Sequence, residues 1–562
     1  MIKVSADCRP VCVQICWLMK SRSNRKNVFI LMLVLAVVAG LVIIQLRRPP
    51  SPSLIRNVVL ISIDTCRADY LSCYDPSHSR TPNLDSLAES GLLFENCFSQ
   101  IPITLPAHAA IFFSRQPDEL HVYNNGVAME EQPLSPSVAE IFQKEGYATA
   151  AFVSMAVLKA TYGLDRGFGE YHGDLPQNGR FYYTAKEVNS SVFPWLEQNS
   201  ERDFFLWLHY SDPHAPYHPP DLRSQAAISL NGDKLGDYAL SGTVYSVELD
   251  LRSGSNTLEF DVTNPGRTNP DRRHVKVRQF ELSKAEGAAD VTWEQGEGCL
   301  DGPEGSLFSC IQKAHVRLIN SGAAARVALT FQLFHSLPPE RRREMYRDEV
   351  EYLDSQLGRL FKKLAALKLD AKTHILVVGD HGESLGEYPT KQGRPHFGHI
   401  HYLYDAYLRV PLIIRPAGSE SRKGRIDAPV SLLDIAPSLL SLAGIRPNRQ
   451  YSGTDLLDAK IPARRDIIQA TYKPEADKNR FAILSFPWHL LFSPEDQTYE
   501  LYNLETDPEE TTDIYPQRAG EEAVRQMRLR LETATRDILI NRPVHEVDDA
   551  TEKMLRALGY IK

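Results

Sequence analysis

Apolar positions along the chain fall into three textures. The first is a single uninterrupted run: residues 28–44 (VFILMLVLAVVAGLVII) are all apolar or small, and Gln45 and Leu46 extend it to residue 46. At about 1.5 Å per residue the run spans about 26–29 Å, close to the hydrocarbon thickness of a bilayer. The second texture is short, continuous apolar segments that end in acids or histidines: 58–63 (VVLISI) before Asp64, 204–209 (FFLWLH), and 373–378 (THILVV) before Asp380. Such runs predict strands of a parallel sheet buried on both faces. Amphipathic stretches at 82–90, 138–145 and 344–364 predict the intervening helices. The third texture is strict alternation at 245–251 (YSVELDL), 257–262 (TLEFDV) and 275–282 (VKVRQFEL), broken by Gly, Asn and Pro. This predicts antiparallel strands. Beyond residue 465, the segments 481–486 and 488–492 read as strands and 521–538 as a helix.

The predicted fold class is therefore α/β: a doubly wound, mostly parallel sheet flanked by helices, with a small C-terminal sheet subdomain, an inserted β-sandwich and one N-terminal transmembrane helix. The expected boundaries are a basic tail at 1–27, an anchor at 28–46, a Pro/Ser linker at 47–55, and catalytic segments at 56–221 and 337–464. They enclose an inserted β-rich domain at 222–336 and are followed by a C-terminal subdomain at 465–562.

Charge sharpens this division. Of 63 Lys/Arg and 71 Asp/Glu, residues 1–56 hold nine basic residues and one acid, a balance of +8. The remainder carries 54 against 70, a balance of −16. An acidic body argues against a nucleic-acid partner, which needs Lys and Arg to neutralise phosphates. Lys20, Arg22, Arg25 and Lys26 precede the apolar run; Arg47 and Arg48 follow it. The positive-inside rule then keeps the N-terminus in the cytoplasm and exports the rest, to the periplasm or beyond. No small-x-small cleavage site follows the run, so it reads as an uncleaved signal anchor. Met19 is an alternative start. Eight cysteines are too few for a disulfide framework, although Cys299 and Cys310 bracket one loop as plausible partners. No signature of an oligomeric state is present.

Chemistry concentrates at the ends of the predicted strands, where α/β sheets bind ligands. Asp64 and the Asp380-His381-Gly382-Glu383 cluster offer carboxylates and an imidazole suited to a divalent cation. Thr104-Leu105-Pro106-Ala107-His108 opens an apolar helical stretch. Its hydroxyl reads either as a helix cap or as a nucleophile beside a metal. His214, in the proline-flanked turn Asp212-Pro213-His214-Ala215-Pro216, is placed to hold an anionic oxygen or a leaving group. His396, His399 and His401 form a further cluster.

These segments, together with HVYNNG, GLDRGF, SLLDIAPSLLSLAGI and ELYNLETDPEE, resemble the sulfatase family of the alkaline phosphatase superfamily. The resemblance covers about 55–220 and 341–562. It implies a metal-dependent ester hydrolase with Asp64, Asp380, His381 and Thr104 as metal ligands and Thr104 as nucleophile. It also implies that His214 and His399 act on the substrate anion and the leaving group, and that Asn125 and His108 lie among the substrate contacts. One divalent ion is expected: Ca, Mg or Mn, with Zn as the alternative. The sequence departs from the family in two places. Thr65 stands where many members have a second aspartate, and no C-x-P-x-R occurs, so no formylglycine is expected.

Threonine lacks the second hydroxyl through which formylglycine hydrate eliminates sulfate. An ester on Thr104 must instead be opened by attack at sulfur or phosphorus, which is easier at phosphorus. The substrate is expected to be an anionic sulfate or phosphate ester, on a glycan or lipid. The alternatives are a phospho-group transferase that modifies lipid or envelope glycan and a degenerate, anion-binding member.

Overall fold

The computed structural model describes residues 57–541, apart from 131–132, 175–181, 216, 218–224, 240, 264–273, 284–290, 297–298, 302–307, 312, 337–338, 390–392, 394, 419–421, 459–460, 463 and 473–477. The expected tail, anchor and linker (1–55) lie outside the described residues. Among those described, no helix is long and apolar enough to cross a membrane.

An eight-stranded sheet organises the catalytic segments. Its order is Gly424–Ile426, Leu92–Phe94, Leu412–Arg415, Thr373–Gly379, Asn57–Ile63, Phe204–Tyr210, Ala148–Phe152, Glu170–His172. The three apolar runs lie side by side at its centre, parallel, with Ile63 opposite Gly379 and Tyr210. Leu412–Arg415 alone runs against its neighbours. The central strand is buried along its whole length because it serves two cores. Val58 and Leu60 pack with Leu105, Phe142 and Leu439 from helices Thr104–Phe113, Val138–Lys144 and Ile435–Leu442. Val59, Ile61 and Ile63 pack with Leu84, Val188 and Leu353 from helices Pro82–Glu89, Ala185–Asn199 and Pro339–Ala366. Helices on both faces leave no polar side, which is why the run reads as continuously apolar.

Between these segments stand two five-stranded antiparallel sheets. One is ordered Val291–Gln295, Lys313–Asn320, Gly254–Thr263, Gln225–Leu230, Asp233–Ala239. The other is Cys299–Asp301, Phe308–Ile311, His274–Leu282, Ala325–Ser336, Ser241–Leu251. Ile228, Leu258, Val316, Leu249 and Phe331 share one core between them, as in a β-sandwich. Register sets Cys299 opposite Cys310.

The C-terminal sheet has four antiparallel strands, Asp466–Thr471, Arg480–Ser485, Trp488–Ser493 and Thr498–Asn503, followed by helix Glu522–Asn541. It grips the segment after His399. Thr471 Oγ1 donates to the Ile400 carbonyl (2.6 Å), Arg480 donates to that of His401 (2.6 Å), and the Asp405 N–H donates to Glu510 (2.5 Å).

Candidate active site and metal centre

The sheet carries its functional residues out on its own ladder. The Asp64 N–H donates to the Tyr210 carbonyl (2.9 Å) and the Asp380 N–H to that of Ile63 (3.3 Å). Three strand ends are thereby locked with Asp64 and Asp380 side by side. Thr65 then adopts a left-handed backbone (φ 52°) and donates its N–H to Asp380 Oδ1 (3.1 Å). Its hydroxyl turns back onto the Asp64 carbonyl (2.8 Å), so the residue that replaces the family's second aspartate serves the turn. Gly382 is required for close approach: a Cβ there would lie 2.2 Å from the Ala406 carbonyl oxygen. Its own N–H donates to Tyr407 O (2.8 Å).

Asp64, Asp380, His381 and Thr104 are all fully buried. His381 Nε2 lies 3.8 Å from Asp64 Oδ1, 3.5 Å from Asp380 Oδ2 and 3.3 Å from Thr104 Oγ1. His381 Nδ1 faces the Gly382 carbonyl at 3.0 Å, which places the ring proton there and turns the Nε2 lone pair toward the carboxylates. Both oxygens of Asp64 and Oδ2 of Asp380 accept no hydrogen bond. Two buried, unsatisfied carboxylates are costly alone. Burial drives both pKa values well above the usual range, and Asp64 raises that of Asp380 further. Burial lowers His381 to about 3. A divalent cation among these donors would remove the conflict, so the residues present fit the metal that the family implies.

Thr104 is the first residue of a wholly buried helix that follows the extended Ile103. Asn125 caps this turn, its Oδ1 accepting the Leu105 N–H (2.9 Å). Its buried Nδ2 makes no hydrogen bond. His108, expected among the substrate contacts, is placed differently. Its Nδ1 meets the Thr104 carbonyl (2.8 Å) and its Nε2 the Ser62 hydroxyl (2.9 Å), which Trp207 Nε1 also reaches (2.8 Å). Both ring nitrogens are occupied in holding the Thr104 turn, and burial lowers its pKa to about 4.

A hairpin, Ser384–Pro389 with Pro395–Gly398, returns the chain from Glu383 to His399. Of the three clustered histidines, His399 is the one against the centre, its ring 4.7 Å from that of His381 and 5.2 Å from that of His214. His396 instead meets the Tyr407 hydroxyl (2.9 Å). His214 is fixed through Nδ1 on the Ala215 carbonyl (2.5 Å). Burial lowers its pKa to about 4 and puts that of His399 well below the ordinary value. The structure thus brings together Asp64, Thr104, Asp380, His381, His214 and His399, with Asn125 bonded to the residue after Thr104.

Two more side chains lie beside this centre, Glu383 from the Asp380 cluster and His209, to which the sequence assigned no role. His209, inside an apolar strand, puts Nε2 3.8 Å from Asp64 Oδ2. Glu383 is buried, with Tyr217 donating to Oε1 (2.5 Å). A separate polar cavity of about 900 Å³ is lined by Arg67, Asp69, Arg343, Glu387, Asp405 and Arg409 among others and includes none of the Thr104 cluster. Its Arg67 is paired with Asp69 and Glu387.

Comparison with known proteins agrees with this geometry. The sulfatase profile matches residues 56–445, and the profile of the N-sulphoglucosamine sulphohydrolase C-terminal region matches 396–537. An arylsulfatase of Clostridium perfringens is 23% identical over 498 residues, covering 84% of this chain and 92% of its own. An N-acetylglucosamine-6-O-sulfatase of Bacteroides thetaiotaomicron is 22% identical, covering 82% of each. Among solved structures, one in complex with its substrate D-glucosamine-2-N,6-O-disulfate superposes with a TM-score of 0.56 at 17% identity, over 87% of this chain and 99% of that one. A phosphonate monoester hydrolase of Agrobacterium radiobacter gives 0.52 at 16% identity, over 87% and 96%.

Proposed function

The chain belongs to the sulfatase family, whose members are ester hydrolases, and from that premise we propose that it cleaves a sulfate or phosphate ester with Thr104 as nucleophile. The observation that carries the proposal is the set of unsatisfied, buried oxygens of Asp64 and Asp380 facing His381, whose Nε2 also faces the Thr104 hydroxyl.

Asp64, Asp380, His381 and Thr104 would hold one divalent cation, which when bound supplies Lewis acidity to the hydroxyl and the substrate anion beside it. Mixed carboxylate and imidazole donors suit Mn²⁺ or Zn²⁺ better than Ca²⁺, which takes oxygen ligands. The Asn125 amide and His214 hold the remaining oxygens of the substrate anion. Thr104 Oγ1 gives its proton up to solvent and bonds to sulfur or phosphorus while the bond to the ester oxygen breaks; that oxygen takes its proton from His399, whose ring, neutral at rest, relays one from solvent through its other nitrogen. Water, or an alcohol in the transferase alternative, then attacks the sulfur or phosphorus and frees Thr104. The sugar esters named for two relatives make a sulfated or phosphorylated glycan a reasonable first substrate.

Chelator-stripped protein reloaded with Mn²⁺, Zn²⁺ or Ca²⁺ should turn over aryl sulfate, aryl phosphate or phosphodiester, and Thr104→Ala should not. Turnover that survives Thr104→Ala removes the nucleophile assignment. Added glycerol that appears in the product would favour the transferase. Residues 28–46 are proposed to anchor the enzyme with its catalytic part exported; a fluorescent reporter after Lys562 that lights up in the cytoplasm would contradict this.

A further inference from the structure

His209 is a buried group that the metal site does not use. It is the last residue but one of the strand Phe204–Tyr210, paired in register with Ser62, two residues before Asp64. It is wholly buried. Its Nδ1 lies 2.9 Å from the Ser154 hydroxyl, which in turn lies 2.7 Å from the Ser211 hydroxyl. These serines come from two segments, one after the strand Ala148–Phe152 and one immediately after the strand Phe204–Tyr210. Nε2 has no hydrogen-bond partner and faces Asp64 Oδ2, itself unsatisfied, at 3.8 Å. The other oxygen, Oδ1, faces His381 at the same 3.8 Å. The carboxylate thus stands between two imidazoles, one on each oxygen.

We propose that His209 is a positioning residue for Asp64: its Nε2–H holds Oδ2 and thereby presents Oδ1 to the metal. The Asp64 oxygen that faces Nε2 selects the tautomer, and the Ser154 hydroxyl, free to donate, then serves Nδ1. The single proton of the neutral ring is then on Nε2, pointing at a carboxylate. The opposite tautomer would set a nitrogen lone pair against an oxygen lone pair. Partners of this kind orient metal-binding carboxylates, and their loss typically weakens metal binding about 10–100-fold. Loss of His209 would also leave the buried Asp64 Oδ2 with no imidazole facing it. The proposal rests on the metal reading above.

The test is Mn²⁺ titration by calorimetry on the full chain, with electron-spin-echo detection of nitrogen on the bound ion. His209→Ala should weaken Mn²⁺ about 10–100-fold. His209→Gln, whose amide N–H reaches the same region, should stay within about threefold of wild type. Ser154→Ala should fall between them. The number of nitrogens on Mn²⁺ should be one, from His381, in all four proteins, and saturating Mn²⁺ should restore kcat in His209→Ala. Unchanged Mn²⁺ affinity in His209→Ala overturns the proposal. So does a wild-type signal from two nitrogens that drops to one in His209→Ala, because His209 is then itself a ligand. Failure of the wild type to bind Mn²⁺, Zn²⁺ or Ca²⁺ overturns the metal reading, and this proposal with it.

Discussion

Replacing Asn125 with aspartate separates two roles that the structure assigns to one side chain. Oδ1 accepts the Leu105 N–H at 2.9 Å, which orients the amide and leaves Nδ2 as the group without a partner. Aspartate has the same shape and keeps the acceptor. A carboxylate at a helix start is favoured by about 0.3–1 kcal/mol through the helix dipole. The Leu105 N–H keeps its acceptor, so the helix start should hold, and the cost of the buried charge is read separately from Tm. The donor, in contrast, is replaced by an oxygen that shares the carboxylate's negative charge. Loss of one donor to charge developing in a transition state costs about 10²–10³-fold, or about 2.7–4 kcal/mol. Repulsion of an anionic ester adds to that. Asn125→Asp should thus lower kcat/KM at least about 100-fold at saturating Mn²⁺, whereas Asn125→Leu should lower activity and also lose about 0.5–2 kcal/mol of stability with the cap. Steady-state kinetics on aryl sulfate and aryl phosphate, with scanning calorimetry on the same preparations, reads both. Wild-type kcat/KM in Asn125→Asp would refute the reasoning, because Nδ2 would then have no part in holding the substrate.

Other outcomes follow from the same geometry. Gly382→Ala forces a Cβ to 2.2 Å from the Ala406 carbonyl oxygen, so the 380–383 loop must shift; Mn²⁺ binding by titration should be lost or weakened more than tenfold. Thr471→Val keeps the volume but strips the Ile400 carbonyl of a buried donor, at about 1–3 kcal/mol. Because Ile400 is held at φ 73° beside His399, kcat should fall while Mn²⁺ affinity is unchanged. In the metal-free protein the buried histidines should cost stability below pH 6.5, against the opposite pull of buried Asp64 and Asp380, whose pKa values are raised. His108 and His214 (about 4) and His381 (about 3) stay neutral when folded, whereas the unfolded chain takes up protons at about 6.5. Each contributes up to about 1.4 kcal/mol per pH unit, fully present above pH 6.5 and lost as pH falls toward the folded value. Denaturant midpoints at pH 7 and pH 5 in the wild type and in His214→Gln measure it: the variant should lose less between the two pH values, and an identical pH dependence would contradict the depressed value.

The part of the site that local pattern reveals is the part built on strand ends. Asp64 and Asp380 terminate apolar runs and could be read directly. His209 was hidden because a histidine inside FFLWLHY looks like part of a buried strand, and its aim at Asp64 exists only through the pairing of His209 with Ser62. The partners of His108 are equally invisible in the local pattern: they are its own helix turn and Ser62, 46 positions away. Of the four C-terminal strands, Asp466–Thr471 and Thr498–Asn503 were missed because each mixes polar and apolar residues with no strong period. That sheet's hold on Ile400 and His401 is a contact between distant segments that no local pattern encodes. Helix Pro339–Ala366 starts earlier than the apolar stripe predicts because its first turn, PERRRE, is nearly all charged; the proline at its start was the available signal.

The central claim is that the ester group passes through Thr104. The direct measurement is rapid acid quenching of the Mn²⁺-loaded protein during turnover, followed by proteolysis and high-resolution mass spectrometry of the peptide around Thr104. A sulfo or phospho group on Thr104 that forms and decays at the rate of turnover, and is absent without substrate, is the predicted result, and its exact mass tells sulfate from phosphate. Full turnover with Thr104 unmodified throughout, matched by an active Thr104→Ala variant, would contradict the account.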